Sequence, residues 1–241
     1  KKFVEEAHKR GIYVIQDIVT NHTGNFISYR DGKYYLNDQS YPTNKPEQYP
    51  FNMNDYNDPE QRNLNIYHWP SEVKEPNRYN TEFSDLDDLN TENPIVIEAL
   101  KDSYSFWIKE ADVDGFRIDT AIYVEPEFWP EFLEGEKGIF EVASELGKND
   151  FLTYGEAWLN PMPFSNDAEK EIEQFFNWGF NSMLDFPLHT DIKRVFKEGK
   201  PTSYIKYRLE QREIMYSNPA RMVTFVDNHD SQHGSSLESQ V

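Results

Sequence analysis

The stretch Val113-Asp114-Gly115-Phe116-Arg117-Ile118-Asp119-Thr120 decides how the rest of the chain is read. Its apolar character predicts a short buried strand that delivers Asp119 to its C-terminal end. Side chains on a strand repeat with period two, so Arg117 and Asp119 share a side and can pair. A guanidinium beside a carboxylate favours the ionised form, the form a nucleophile needs. An Arg and an Asp two residues apart also describe an ordinary ion pair. The chemistry therefore has to come from the company this strand keeps.

Upstream, Asn93 and Pro94 read as the N-cap and first residue of a helix. Val96, Leu100, Tyr104, Trp107 and Ile108 mark that helix by their spacing. Residues 1–10 carry Phe3, Val4 and Ala7 on one helical face, with Gly11 as a C-cap. Residues 12–19 form a second apolar, β-branched run around Gln16 and Asp17, ending in Thr20-Asn21-His22-Thr23-Gly24. Downstream, residues 127–146 read as helix broken at Pro130 and Gly135. Residues 151–156 form a strand ending in Glu156-Ala157-Trp158. A helix over 168–176, a strand over 180–186 and a helix over 203–216 follow. A last strand over 221–226 leads into Asp227-Asn228-His229-Asp230.

Strands alternating with helices predict βαβ units and a parallel sheet. Neither a Gly-rich phosphate turn nor a Walker-type loop is present. The polar residues gather at the C-terminal strand ends, where a (β/α)8 barrel keeps its active site. A doubly wound sheet is the alternative. Residues 21–92 break the rhythm: they hold 12 Asn, 6 of the 14 Pro and 8 of the 15 Tyr without sustained periodicity. A stretch that long without regular structure predicts an inserted subdomain over one end of the main sheet.

Composition narrows the function. The 241 residues suffice for a sizeable core, and 15% aromatics exclude a disordered chain. A net charge of −19 argues against nucleic acid and anionic membranes as partners. It suits a neutral, hydroxyl-rich ligand or a bound cation. The absence of cysteine excludes disulfides, thiolate zinc sites and a cysteine nucleophile, and leaves the compartment open. No apolar run approaches the ~18 residues of a membrane span.

Four predicted strand ends supply Asp17, Asn21 and His22, then Arg117 and Asp119, then Glu156, then His229 and Asp230. Each is bland alone, as a capping Asn, an ion pair, a surface Glu or a hydrogen-bonded His. Barrel geometry would bring them to one mouth. Two carboxylates flanking a bond are what glycoside hydrolysis needs. Asp119 then reads as the nucleophile and Glu156 as the acid/base. Asp230 reads as a third carboxylate that stabilises positive charge at the anomeric carbon. His22 and His229 would bind hydroxyls, and Trp69, Tyr79, Tyr123, Trp158 and Trp178 are candidates to stack on sugar rings.

These residues resemble the α-amylase family of glycoside hydrolases. Asp17-Ile18-Val19-Thr20-Asn21-His22 is similar to that family's segment on the third barrel strand. Gly115-Phe116-Arg117-Ile118-Asp119, Gly155-Glu156 and Phe225-Val226-Asp227-Asn228-His229-Asp230 resemble those on the fourth, fifth and seventh. Asp87-Asp88-Leu89-Asn90 resembles a segment of the family's inserted domain B. The resemblance implies a partial (β/α)8 barrel, strands three to seven, with domain B over residues 21–92. It implies a retaining hydrolase of α-1,4-glucosidic bonds in starch or maltooligosaccharides, with Asp119, Glu156 and Asp230 in the roles already read. His22, Arg117, Tyr123, Trp158 and His229 would contact substrate. The family's structural calcium would fall to Asn21, Asp88 and the Tyr123 carbonyl, and oxygen ligands suit that ion. One departure is local: many α-amylases place Lys-His three and four residues after the nucleophile, where this chain has Ile122 and Tyr123. The other is extent, with the remaining barrel strands expected from another segment or chain. An α-1,6-debranching enzyme, a transglycosylase or an inactive carbohydrate-binding homologue is the alternative.

Overall fold

A computed structural model describes residues 1–36 and 45–230. Their contacts separate the chain into two units, Lys1–Phe151 and Leu152–Val241.

The first unit opens with helix α1 (Lys2–His8), which turns through Gly11 at φ +70° into strand β1 (Ile15–Val19). A hairpin follows, β2 (Ile27–Arg30) paired antiparallel with β3 (Lys33–Leu36). Its two turn residues, Asp31 at φ 52° and Gly32 at φ 71°, are both left-handed, the requirement of the type I′ turn that matches strand twist. Asp58 caps the short helix α2 (Pro59–Leu64) by accepting from the Glu60 amide. Asn93 likewise accepts from the Ile95 amide at the start of α3 (Pro94–Ala111). Strand β4 (Gly115–Asp119) comes next, then α4 (Phe128–Glu134) and α5 (Ile139–Glu145). β1 and β4 run parallel with Asp17 opposite Arg117 and Val19 opposite Asp119. Val96, Ile108, Phe116, Ile118, Trp129 and Phe132 form a fully buried core that fixes this strand pair under its helices.

The second unit holds β5 (Leu152–Gly155), α6 (Asp167–Asn177), β6 (Ser182–Met183), α7 (Phe186–Phe196) and α8 (Ser203–Met215). β5 and β6 are parallel, so both units repeat the strand–helix–strand pattern read from the sequence. No helix among the described residues is long and apolar enough to cross a membrane.

Three expectations need correction. The strand expected over 180–186 shrinks to Ser182–Met183, because Asp185 caps a helix that the sequence reading missed. Its carboxylate accepts from the Leu188 amide, and Pro187 sits in the first turn. The strand expected over 221–226 reduces to one bridge between Leu184 and Val223, since so short a β6 offers little ladder to extend. Pro130 does not break helix; it lies in the first turn of α4, where its missing N–H costs nothing, and the break falls between Glu134 and Ile139.

Asp185 also makes stability depend on pH. Burial pushes its carboxyl up to about 6, against the capping bond from Leu188 and the charge of Arg212. A carboxyl whose folded value lies above its ordinary 3.8 stabilises the fold most when protonated. That contribution is complete below about pH 4 and is lost as pH rises through about 6, a change of about 3 kcal/mol. Asn still caps a helix but does not titrate. Urea denaturation should therefore show Asp185→Asn gaining on the unmodified protein between pH 4 and pH 7.5. A stability difference that stays constant across this range would refute the titration.

Candidate active site

In the first unit, the Arg117–Asp119 pair takes the form the sequence predicts. The Arg117 Nη1 donates to Asp119 Oδ1 at 2.5 Å and to Asp17 Oδ1 at 2.9 Å. The parallel register explains the second bond, because Asp17 on β1 lies directly opposite Arg117 on β4. Arg117 is buried, whereas the Asp119 side chain keeps 20% of its surface open at the strand end. A carboxylate so placed is oriented from behind by a fixed cation and open in front to a ligand. Tyr104 of α3 braces the neighbouring strand: its hydroxyl accepts from the Val19 amide at 3.1 Å and donates to the Val19 carbonyl.

Asn21 and His22 follow β1 directly. His22 Nδ1 bonds Asn21 Oδ1 at 3.1 Å, and its ring lies parallel to Phe83, which in turn packs on Tyr123 at 4.9 Å. Burial pushes His22 below the ordinary histidine range, opposed by the negative charge of Asp119. The ring therefore stands near Asp119 as a neutral group able to bind a hydroxyl.

The residues expected to hold calcium also converge. Asn21 Nδ2 donates to Asp88 Oδ1 at 3.0 Å and to the Tyr123 carbonyl at 3.3 Å. His68, a partner the sequence reading missed, contacts Asp88 Oδ2 through Nδ1 at 2.7 Å. Burial pushes Asp88 up to about 6, while His68 and Asn21 act to lower it. Burial and the charges of Asp88 and Asp85 raise Glu82 as well. Turning the Asn21 amide by 180° would set three oxygens face to face, an arrangement only a cation makes favourable. Among the described residues no cluster of three or more His, Asp and Glu side chains has metal-binding geometry. The groups that converge here are one carboxylate, one amide and one backbone carbonyl.

In the second unit, Glu156 directly follows β5 and is buried. A Cβ on Gly155 would lie 2.8 Å from Phe180 Cε1 and 2.9 Å from Met183 Sδ, so glycine alone allows this close approach before Glu156. Trp158 is 43% exposed and lies flat on Phe186 at 5.0 Å, leaving one face available. His229 and Asp230 are exposed, with His229 Nε2 3.3 Å from Asp230 Oδ2. Two stacking candidates fall away. Trp69 is 1% exposed inside a cluster of tyrosines, and Trp178 caps α6 against Phe175, at the opposite end of the strand–helix unit from Glu156. Tyr79 stacks under Arg78.

Residues 1–240 match the family described as alpha amylase, catalytic domain. The chain belongs to the α-amylase family. It is 27% identical to an α-amylase of Streptomyces lividans over 95% of this chain and 28% of that protein. A crystal structure of the Geobacillus thermoleovorans α-amylase complexed with acarbose superposes with TM-score 0.71 at 27% identity, covering 99% of this chain and 46% of that one. A cyclomaltodextrin glucanotransferase with a three-domain ABC distribution gives TM-score 0.69 at 30% identity, over 95% and 43% of the two chains. The chain thus spans less than half the length of these relatives. The fold class read from the sequence, part of a parallel (β/α)8 barrel, holds.

Proposed function

We propose that the protein acts as a retaining hydrolase of α-1,4-glucosidic bonds in starch or maltooligosaccharides. The observation that carries this reading is Asp119 held by the buried Arg117 at the end of β4, within the family's own segment. Asp119 attacks the anomeric carbon while Glu156 protonates the departing glycosidic oxygen, giving a covalent glycosyl-enzyme. Glu156 then takes a proton from water as the water attacks that carbon and releases Asp119. Asp230 stabilises the positive charge that develops in both steps, and His22, Tyr123, Trp158 and His229 hold the sugar. Neutral His22 donates or accepts a hydroxyl hydrogen bond without competing for the negative charge of Asp119.

The test is proton NMR of maltoheptaose digestion by the 241-residue chain. The α-anomer should appear first and mutarotate afterwards. First appearance of the β-anomer means inversion, and no hydrolysis at all leaves the carbohydrate-binding alternative standing. The 30% identity to a cyclomaltodextrin glucanotransferase favours transfer as the second reading. Cyclic products from starch would select it over hydrolysis.

Calcium fits the donor set of Asn21, Asp88 and the Tyr123 carbonyl. Bound there, it would supply charge that offsets the buried Asp88 and ties residues 21–92 to the loop after β4. A ligand that binds only the folded state stabilises it by about 2.7 kcal/mol at 100 times its dissociation constant. Calorimetry should show a higher Tm in calcium than in EDTA, with the gain lost in Asn21→Ala. Identical curves in calcium and EDTA would rule the site out.

A further inference from the structure

The first unit carries a hollow on the β2–β3 hairpin that the reading above does not use. Tyr29, Lys33, Tyr34, Tyr56, Asn57 and Ser71 line a volume of about 340 Å³ that is open to solvent. Three of its rings pack together: Tyr34 stacks on Tyr56 at 3.8 Å, and Tyr29 is tilted against Tyr34 at 4.7 Å. The cross-strand register puts Tyr29 opposite Tyr34, and Tyr29 keeps 40% of its surface exposed. Below them the buried Trp69 meets Tyr34 and Tyr56 edge-on at 5.7 and 5.3 Å, so the rings are held in place before any ligand arrives.

The polar groups are equally organised. The Tyr34 hydroxyl lies 2.9 Å from Ser71 Oγ and accepts from the Ser71 amide at 3.0 Å. Ser71 Oγ contacts the Tyr56 hydroxyl at 3.3 Å, and that hydroxyl donates to Glu72 at 3.0 Å. The exposed Tyr29 ring beside a chain of hydroxyls matches a pyranose, which has an apolar C–H face and a rim of hydroxyls. A volume of about 340 Å³ lies in the range of small-molecule sites.

We propose that this hollow is an auxiliary glucan-binding site that holds a short maltooligosaccharide on residues that take no part in the proposed catalysis. The ligand class rests on the reading of the protein as an α-glucan hydrolase, whereas the hollow itself does not depend on catalysis. The site would keep a polymeric substrate attached between cleavage events.

The experiment is titration of the 15N-labelled chain with maltotriose. The Gly32, Asn57 and Ser71 amides should shift, and Tyr29→Ala should weaken that binding by about fivefold or more. Tyr56→Phe keeps the ring packing and removes one hydroxyl, and should also weaken it. Asp119→Asn should leave the same shifts intact, which separates failure of this site from failure of the catalytic assignment. Cellobiose should leave these amides in place. The proposal is overturned if maltotriose moves none of them, if both tyrosine variants bind as the unmodified protein does, or if cellobiose binds equally well.

Discussion

Asp119→Asn is expected to lower kcat/KM on maltooligosaccharides by about 10⁴-fold or more, while the protein stays folded. Asn preserves shape and can still meet Arg117, so the loss would be chemical. Without the carboxylate no glycosyl-enzyme forms, and about 5–6 kcal/mol of barrier lowering disappears. Glu156→Gln supplies the contrast. It removes the proton that a sugar leaving group needs, yet a glycosyl fluoride departs without that help. Glu156→Gln should therefore still be glycosylated by an activated substrate, and Asp119→Asn should be inert towards both kinds. Trapping the intermediate with a fluorosugar and mapping the labelled peptide decides it. Label on Glu156, or undiminished turnover by Asp119→Asn, would overturn the assignment.

Within the first unit, the pairing of Arg117 with Asp119 was legible in the sequence. Period-two spacing fixed the side shared by Arg117 and Asp119. Asn93 and Pro94 announced the start of α3, and the gathering of Asn21, Asp88 and Tyr123 followed from the family resemblance. The hairpin was readable but unread: Asp31-Gly32 between aromatic runs is a turn signal with a mechanism. Helix α7 was harder, because Asp185-Phe186-Pro187 ends an apolar run that looks like a strand until the Asp is recognised as a cap. His68 could not be found from pattern, since its partner Asp88 lies 20 residues away in irregular chain. Helix α8 was legible as an element, expected over 203–216 and found at Ser203–Met215, but not in what it buries. Its Leu209 and Ile214 are 44% and 67% exposed, and the one residue it buries is Arg208.

Arg208 carries the largest expected effect on stability. Its Nε donates to Asp191 of α7 at 2.9 Å, and its Nη1 donates to Glu169 of α6 and to the Ser165 carbonyl. All three charged side chains are fully buried, so one guanidinium ties three helices of the second unit together. Asp191 has a second cation in Arg194 at 2.7 Å, but among the described contacts the only cation on Glu169 is Arg208. Burial raises the Glu169 carboxyl and Arg208 opposes that rise. Arg208→Met fills similar space but leaves Glu169 buried without its cation, which should cost about 3–5 kcal/mol. The loss should be smaller at pH 5 than at pH 8, because a carboxyl whose folded value is raised regains stability as it protonates. Adding Glu169→Gln to Arg208→Met should recover most of the loss, since removing both members of a buried pair is far less damaging than removing one. Urea denaturation of the single and double variants at the two pH values tests both statements. A loss below about 1 kcal/mol in Arg208→Met would mean that apolar packing of α6, α7 and α8, not this ion network, holds the second unit together.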